Sequence, residues 1–428
     1  MDKKIAGLKI PYFIIACVII VISFIFDVLP NGMVGAFLFL IVFGELLNLI
    51  GNHTPIIKTY LGGGAIVSIF VGAAITYYKW LPAESIKSIN TFMTKGGFLD
   101  FYIAALITGS ILGMNRKLLI KAAIRYLPCI LGSVIMALLL VGGVGLLFGK
   151  SVGESIAYIG IPIMGGGMGA GAVPISKVFE SALNIPSETI LSKLVPAVAL
   201  GNAVAIVAGG LLNRLGKSKP SLTGNGQLVR SNDDSLKAEK KENIILNDVK
   251  DYGAGIVIAT AFFTFGAILA FLFEKLGIKI HSYAWMIISV VIVKAAGIVP
   301  EKIEHVAEGW YNFVAKNFTA ALMLGIGMAY TNLGQIFEAF TPSYVILVLA
   351  VIIGAIIGAG IVGYFVGFYP IETALTAGLC MANMGGTGDV AVLTAADRME
   401  LMPFAQISSR LGGALIILLA SVLVPIFF

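Results

Sequence analysis

Apolar runs of about 20 residues, the length that crosses a lipid bilayer, recur along almost the whole chain. About eleven can be traced, the first at residues 12–29 and the last at 403–428. A soluble domain has about 25% charged residues, whereas this chain has 12%, together with 58% hydrophobic residues and a mean hydropathy of +0.97. The pattern predicts an all-α polytopic membrane protein with about eleven transmembrane helices, and it excludes a soluble enzyme.

Lysine and arginine residues cluster in three segments between these runs. Lys3, Lys4 and Lys9 precede the first run, four basic residues lie within 116–125 after the fourth run, and residues 215–251 form a basic stretch two runs later. Because basic loops remain in the cytoplasm, the pattern places the N-terminus inside the cell and the C-terminus outside. The same loops account for the net charge of +6, so we expect a lipid bilayer as partner and no nucleic acid.

Glycine clusters interrupt two further apolar segments. One cluster extends from Gly165 to Gly171, and the other lies at residues 385–388. Glycine in a helix interior costs about 1 kcal/mol relative to alanine, and non-helical backbone at membrane depth survives only inside the protein or beside a water-filled cavity. We therefore predict two re-entrant helical hairpins with glycine-rich tips, at about residues 155–178 and 369–394.

The two hairpin segments align without a gap when the chain is shifted by 217 residues, the interval that separates Gly169 from Gly386 and Pro186 from Pro403. The predicted topology inserts the first hairpin from outside and the second from inside, so the halves are predicted to be inverted repeats. The predicted organisation is an N-terminal span at 1–30, a first repeat at 31–214, a flexible cytoplasmic linker at 215–251 and a second repeat at 252–428. Inverted repeats with broken helices are typical of secondary transporters, which bind substrate near the middle of the membrane.

Arg410, Asp389 and Asn383 are the polar side chains with the most informative positions. Arg410 lies about seven residues into the last apolar run, where a charge is costly and usually faces a partner or a cavity. Its planar guanidinium can bind a carboxylate through two parallel hydrogen bonds, and the alternative is a structural ion pair with Asp389. Asp389 and Asn383 flank the second tip and, with backbone carbonyls, offer oxygen ligands for a small cation. Asp389 alone would suffice for a proton, and Asn383 has helix capping as its alternative role.

Other polar residues in the apolar runs have simpler interpretations. Glu45 is either functional or half of a structural pair, Lys294 is expected to extend to the membrane surface, and Arg398 is expected near water at the end of the second hairpin. Lys193 occupies the repeat position of Arg410 and is expected to extend to the surface or to pair with a glutamate. The scattered three cysteines and three histidines predict no disulfide and no transition-metal site.

The segments around both tips resemble the bacterial 2-hydroxycarboxylate transporter family of sodium- or proton-coupled citrate and malate symporters. The resemblance extends over nearly the whole chain. It is carried by residues 165–174, by Cys380-Met381-Ala382-Asn383 leading into Gly385-Gly386-Thr387-Gly388-Asp389, and by Ala405-Gln406-Ile407-Ser408-Ser409-Arg410-Leu411-Gly412-Gly413. It implies a homodimer in the bacterial cytoplasmic membrane, in which a dimerisation domain supports a mobile transport domain that holds both hairpins and moves like an elevator.

The resemblance also implies where the ligands bind. The substrate, a small carboxylate, is expected at Arg410, Met168, Gly169, Gly385, Gly386, Thr387 and Ser409. The coupling cation, sodium or a proton, is expected among Ile163, Gly165, Cys380, Met381, Asn383 and Ser409, largely through backbone oxygens, with Asp389 supporting the site. No other cofactor is implied.

The sequence departs from citrate-specific members of the family at both tips. Those proteins carry arginine where this chain has Met384 and asparagine where it has Met168. A third carboxylate would lose a cationic partner worth about 1.5–3 kcal/mol, so we expect malate as the preferred substrate and citrate to be weaker, or carried as a metal complex or a less charged form.

The leading interpretation is therefore cation-coupled symport of a 2-hydroxycarboxylate. The alternative within transport is exchange, such as malate against lactate, without a coupling ion. A channel would need repeated rings of pore-lining residues, and a membrane-embedded enzyme would need a catalytic pair or metal cluster. The sequence has neither pattern, so we expect no enzyme.

Overall fold

Helices make up most of the structure, a computed structural model that describes residues 4–55, 57, 63–114, 116, 125–230, 246, 248–278, 280–334, 337 and 341–428, without the side chain of Thr387. In chain order the helices are α1 (Ile10–Ile25), α2 (Met33–His53), α3 (Gly64–Tyr77), α4 (Ala83–Thr94), α5 (Phe98–Leu112), α6 (Leu127–Leu147), α7 (Val152–Met164), α8 (Val173–Leu183), α9 (Ser187–Ser218), α10 (Val249–Glu274), α11 (Ser282–Ala296), α12 (Glu301–Tyr330), α13 (Pro342–Phe365), α14 (Pro370–Thr373), α15 (Gly386–Ala395) and α16 (Met399–Phe427). Two short strands, Lys4–Ile5 and Leu8–Lys9, pair ahead of α1.

Within the described ranges, eight helical spans are long and apolar enough to cross a membrane: α2, α4 with α5, α6, α9, α10, α12, α13 and α16. The helices α1, α3, α7 and α11 are apolar but shorter. The chain is therefore an all-α polytopic membrane protein, as predicted, whereas the predicted number of about eleven full-length spans exceeds the eight that are observed.

The helices pack in two groups. The first group contains α2–α5 and α10–α12, and the second contains α6–α9 and α13–α16. Four rings from the first group, those of Phe37, Phe92, Phe98 and Phe318, have neighbouring centroids 4.9–6.2 Å apart. Such edge-to-face and offset contacts add to the area that the rings bury, so this cluster fixes α2, α4, α5 and α12 relative to one another.

Both glycine clusters form breaks between helical arms. In hairpin 1, residues 152–183, α7 ends at Met164 and a π-helical turn at Met168–Ala172 leads into α8. In hairpin 2, residues 370–395, α14 continues as the π-helical turn Ala374–Leu379 and α15 follows the break. The observed bounds lie within a few residues of the predicted hairpins. Insertion of the two hairpins from opposite sides of the membrane stays a prediction.

In hairpin 1 the two arms are in contact, and local sequence signals set its ends. In hairpin 1 the ring centroids of Tyr158 and Phe179, one from each arm, are 5.8 Å apart. Ser151 Oγ accepts the N–H of Glu154 at 3.0 Å, which caps the start of α7. Asn184 ends α8 in the left-handed conformation, with φ 54°, as asparagine often does at a helix C-terminus.

The helix boundaries extend the 217-residue repeat beyond the hairpins. Shifted by 217 residues, α2 falls on 250–270, α3 on 281–294 and α6 on 344–364, and each end lies within four residues of the corresponding end of α10, α11 or α13. Corresponding helices lie in the same packing group. The two halves therefore share one order of elements, and their inverted orientation stays a prediction.

The helix α12 begins earlier than predicted, because its charged first half lowers the local hydropathy. Hydropathy alone predicts a span at residues 318–333, the ninth of the traced apolar runs, whereas the helix begins at Glu301. Glu304 in its first turns pairs with Lys294, whose Nζ lies 2.6 Å from the Glu304 Oε2 and whose side chain is 3% exposed. The prediction that Lys294 extends to the membrane surface is therefore wrong.

The first part of the predicted linker is packed against hairpin 2. The Oγ1 of Thr223 donates to Glu372 Oε1 at 2.6 Å, and the backbone N–H of Tyr369 donates to the carbonyl of Leu228 at 2.9 Å. Arg398, only 6% exposed, forms a salt bridge with Glu372 at 3.4 Å. The expectation of Arg398 near water is therefore wrong, and Thr223 and Leu228 at the start of the predicted linker are buried. Residues 231–245 and 247 lie outside the described part of the chain.

Candidate functional site

The tips of the two hairpins meet each other and the middle of α16. Gly166 and Gly167 have φ values of 78° and 110°, a region that glycine adopts without steric cost. A Cβ atom on Gly167 would lie 2.7 Å from the carbonyl carbon of Met384, and one on Gly166 would lie 2.7 Å from the carbonyl oxygen of Ser409. Glycine is therefore required for this close approach of three backbone segments.

We expect Gly167→Ala to destabilise the protein, because its methyl group would meet backbone atoms of Met384. A residue held in an unfavourable backbone region costs about 1–3 kcal/mol, and overpacking costs a similar amount. The measurement is the thermal unfolding midpoint in detergent. The control is Gly143→Ala in α6, where a Cβ would meet nothing within 4 Å. Equal midpoints for the two variants would show that the tips are not in contact.

Asp389 and Ser409 form the centre of an oxygen-rich cluster behind the tips. The Nδ2 of Asn383 donates to Asp389 Oδ1 at 2.9 Å. Ser409 Oγ lies 2.9 and 2.7 Å from the two oxygens of that carboxylate, and 3.0 Å from the carbonyl oxygen of Cys380. The π-helical turn Ser408–Gly412 in α16 places this hydroxyl toward hairpin 2.

The cluster has more acceptors than donors. Ser409 Oγ carries one proton, yet it lies within hydrogen-bond distance of both Asp389 oxygens and of the carbonyls of Cys380 and Ala405. A surplus of carboxylate and carbonyl oxygens is the environment that a small hard cation prefers. In the described ranges, no group of three or more His, Cys, Asp and Glu side chains could hold a metal ion, so a cation here would depend on backbone and hydroxyl oxygens beside Asp389.

The remaining predicted cation residues surround this cluster. A Cβ on Gly413 would lie 2.9 Å from the carbonyl oxygen of Gly165. The side chains of Ile163 and Met381 pack against glycines of α9 and α16. The structure thus brings Asn383, Asp389, Cys380 and Ser409 into direct contact and places Gly165, Ile163 and Met381 around them.

Asn202 on α9 is a buried polar residue at this cluster that the sequence analysis missed. Its Oδ1 accepts the backbone N–H of Met384 at 3.0 Å, which holds the tip of hairpin 2. No described group lies within hydrogen-bond distance of its Nδ2. The signal in the sequence is an asparagine in the middle of an apolar run. A buried amide is normally hydrogen-bonded, so such a residue indicates a polar contact inside the protein.

A cavity of about 550 Å³ lies between the two helix groups, in front of the tips. The wall from the second group contains the described side chains and glycines predicted to bind substrate: Met168, Gly169, Gly385, Gly386, Ser409 and Arg410. The side chain of Thr387 lies outside the described set. Asp389 also borders the cavity, so the oxygen cluster and the cavity share a wall.

The guanidinium of Arg410 is held at this wall without a carboxylate partner. Its Nη1 donates to the carbonyl of Ser110 at 3.3 Å, and its Cζ lies 5.5 Å from the ring centroid of Tyr311. Among the described residues no carboxylate is within salt-bridge distance of it, so the alternative of an ion pair with Asp389 is not observed. A guanidinium with most of its donors free of protein acceptors can bind an anionic group.

A row of hydrogen-bonded polar side chains on α2 lines another part of the cavity. Asn48 Nδ2 lies 3.5 Å from Glu45 Oε2, and Asn52 Nδ2 donates to Asn48 Oδ1 at 2.9 Å. All three residues border the cavity. Glu45 is therefore hydrogen-bonded and also faces the cavity, so both of its predicted interpretations are compatible with its position. Lys193 lies elsewhere, with its Nζ 5.0 Å from the ring centroid of Tyr158.

One face of α12 completes the wall and was missed from the sequence. Tyr311, Ala315, Lys316 and Thr319 border the cavity, at the spacing of one helix face. The hydroxyl of Thr319 is 2.7 Å from that of Tyr102 on α5. The predicted apolar run did not include residues 301–317. The helical spacing of the apolar residues in that segment is the signal that would have revealed this face.

Comparison with known proteins adds an independent finding. The family model described as the 2-hydroxycarboxylate transporter family matches residues 5–422. The match therefore includes both hairpins, the oxygen cluster and Arg410.

Named relatives align over the same length. The chain is 39% identical to the Na(+)-malate symporter of Bacillus subtilis, with 99% of this chain and 93% of that protein covered. It is 37% identical to the citrate/sodium symporter of Salmonella typhimurium, with 98% and 94% covered. It is also 37% identical to the malate transporter MleP of Lactococcus lactis, with 100% and 99% covered.

Proposed function

Because the chain belongs to the 2-hydroxycarboxylate transporter family, we propose that it is a secondary active transporter that moves malate together with sodium by alternating access. It is a multi-pass membrane protein whose relatives are transporters rather than enzymes. The observation that carries the proposal is the position of Arg410, a guanidinium without a carboxylate partner among the described residues, which borders a cavity beside an oxygen cluster at two helix breaks.

Arg410 binds the carboxylate of the substrate that is adjacent to its 2-hydroxyl group. The glycines of both tips border the same cavity, so the substrate approaches backbone N–H groups closely, as anions do at glycine-rich helix starts. Gly385 precedes α15 with a φ of 75°, so the start of that helix, with its unpaired first N–H groups, borders the cavity at Gly385 and Gly386. Met168 and Met384 contribute apolar surface there.

Malate is the preferred substrate because the tips carry no second cation. Met168 and Met384 stand at the two positions that offer polar side chains in citrate-specific relatives of the family, and both border the cavity. A third carboxylate would then be desolvated without a charged partner on the tips, which costs a charged hydrogen bond of about 1.5–3 kcal/mol. Citrate is expected to bind more weakly, or as a metal complex or a less charged form.

Sodium binds the oxygen cluster around Asp389, Asn383 and Ser409. The surplus of acceptors there supports a metal cation, and two of the relatives are named as sodium symporters. Because Asp389 borders the cavity as well, a cation at the cluster lowers the electrostatic cost of bringing an anionic substrate to Arg410. This provides the coupling of sodium to malate.

Alternating access is proposed to move both hairpins together as an elevator, within a homodimer in the bacterial cytoplasmic membrane. Both hairpins lie in one packing group, together with α6, α9, α13 and α16. The first group, α2–α5 and α10–α12, provides the other wall of the cavity. A movement of one group past the other would change which side of the membrane the cavity faces without altering the tips.

Uptake of labelled malate into proteoliposomes, with sodium and proton gradients imposed separately, tests the proposal. We expect the sodium gradient to drive accumulation. We expect Asp389→Asn to raise the sodium concentration required for half-maximal uptake by about tenfold or more, because it removes a charged cation ligand. Asp251→Asn, in the first turn of α10 and outside the cavity lining, is the matched control.

Three results would contradict the proposal in different ways. Accumulation driven only by protons would assign the coupling role to protonation of Asp389. Fast exchange of malate against internal substrate, with no response to either gradient, would identify an uncoupled exchanger. No transport of malate or of any other 2-hydroxycarboxylate would overturn the substrate assignment.

A further inference from the structure

Lys316 is a second cation at the cavity, and the proposed function does not use it. It lies halfway along α12 and borders the cavity together with Tyr311 and Thr319. A charged side chain in a membrane-length helix is costly and usually serves a function. Among the described residues its ammonium group has no salt bridge, whereas Lys294 in the same helix group is paired with Glu304.

Two cavity-lining residues of α12, one on either side of Lys316 along the helix, locate it relative to the tips. Toward the start of the helix, the ring centroid of Tyr311 lies 5.5 Å from the Cζ of Arg410. Toward the end, the Cε of Met323 lies 3.4 Å from the position of a Cβ on Gly169, at the tip of hairpin 1. Lys316 is between these two contacts, about 7.5 Å along the helix axis from Tyr311 at 1.5 Å per residue. Lys316 therefore lines the same cavity as Arg410 and the tip of hairpin 1, on the wall that α12 provides.

We propose that Lys316 binds the second carboxylate of a dicarboxylate substrate whose 2-hydroxycarboxylate end is bound by Arg410. This inference depends on the proposed function and extends it to a specificity-determining residue. Two cations on facing walls, one from each helix group, match the two carboxylates of malate. A lysine ammonium suits this position, because it is a flexible point charge that can donate to a carboxylate in several geometries. The planar guanidinium of Arg410, in contrast, fixes one orientation of its carboxylate.

The proposal predicts selectivity between ligands that differ in a single charge. Malate and its 4-amide share the 2-hydroxycarboxylate end, and the amide lacks the second negative charge. A hydrogen bond to a charged group contributes more to binding than one to a neutral group. The wild-type protein should therefore bind malate more tightly than the amide, and this preference should depend on Lys316.

Isothermal titration of the detergent-purified protein with malate and with its 4-amide, in sodium buffer, tests the proposal. We expect wild type to prefer malate by about tenfold or more. We expect Lys316→Met to weaken malate binding by a similar factor, with little effect on the amide, so that the preference disappears. Lys316→Arg should retain most of it, because the positive charge is kept.

Lys302→Met is the matched control, since Lys302 is an exposed lysine on α12 that does not border the cavity. It should behave as wild type. The proposal is overturned if Lys316→Met keeps the malate preference, or if it weakens malate and the amide equally, which would indicate a structural role. If wild type binds no 2-hydroxycarboxylate at all, the proposed function itself fails, and this outcome is distinguishable because it does not involve the variant.

Discussion

Replacing Arg410 with lysine is expected to reduce kcat/KM for malate uptake by about a hundredfold or more, even though the positive charge is kept. In the part of the chain that the structure describes, Arg410 donates one hydrogen bond, to the carbonyl of Ser110, and its guanidinium contacts the ring of Tyr311. A bidentate pair with a carboxylate depends on that planar fork, which lysine lacks. Two charged hydrogen bonds at about 1.5–3 kcal/mol each account for the expected loss. The measurement is sodium-driven uptake of labelled malate into proteoliposomes.

Ligand-dependent thermal stabilisation separates a binding role of Arg410 from a structural one. The oxygen cluster around Asp389 does not require Arg410 for its hydrogen bonds, so Arg410→Lys should still be stabilised by sodium and should lose stabilisation by malate. Arg214→Lys, at an exposed position near the end of α9, should retain both. Loss of both effects in Arg410→Lys would show that the residue supports the fold rather than the substrate.

The interruption of the helix at Gly165–Gly167 could be predicted from the sequence because glycine acts locally and cannot continue an apolar helix cheaply. The second break lies at 380–385, and Gly386 and Gly388 of the second cluster already belong to α15. That both segments are re-entrant in the membrane stays a prediction. The residues after each break, including Asp389 and Arg410, were then identifiable as polar groups at membrane depth. The π-helical turns beside the tips were not foreseen, since no local signal in the sequence distinguishes them from α-helix.

The cavity wall that α12 provides was not predicted from the sequence, because mean hydropathy averages the polar and apolar faces of a helix. Residues 301–317 contain enough charge to lower the mean, yet buried Val306 and Trp310 alternate there with exposed polar residues. The first half of α12, which has one polar face, was therefore not recognised as part of a membrane-spanning helix. Asn202 was missed for a different reason, since its partner is the N–H of Met384, 182 residues later in the chain, and such pairing depends on tertiary packing.

The predicted linker was expected to be flexible because its composition is polar, yet two of its described residues, Thr223 and Leu228, are buried. Its partners are distant in sequence, so a polar composition alone cannot reveal that Thr223 and Asn225 contact a buried ion pair. Polar residues near a membrane surface satisfy buried charges as readily as they bind water. The packing of this segment on hairpin 2 is consequently testable through the stability of that ion pair.

Replacing Arg398 with methionine is expected to lower the free energy of unfolding by about 3–5 kcal/mol, the cost of leaving a buried charge without its partner. Glu372 is 0% exposed, and its Oε1 accepts from the Nε of Arg398 at 3.4 Å and from Thr223 Oγ1 at 2.6 Å. The guanidinium also donates to Asn225 Oδ1 at 2.9 Å. Removing it would leave the carboxylate with the hydroxyl and one distant N–H, that of Gly226 at 3.4 Å. Denaturant titration in detergent micelles measures the loss.

The second substitution Glu372→Met, made in the Arg398→Met variant, distinguishes a lost charge partner from lost packing. It removes the uncompensated carboxylate, so the double variant should recover a large part of the stability, as replacement of buried ion pairs by apolar residues often does. Lys87→Met is the matched control: its pair with Glu84 spans 3.7 Å with side chains 74% and 69% exposed, and such surface pairs are worth about 0–1 kcal/mol. If Arg398→Met cost no more than Lys87→Met, the ion pair would be solvated and the linker segment would not be packed against hairpin 2.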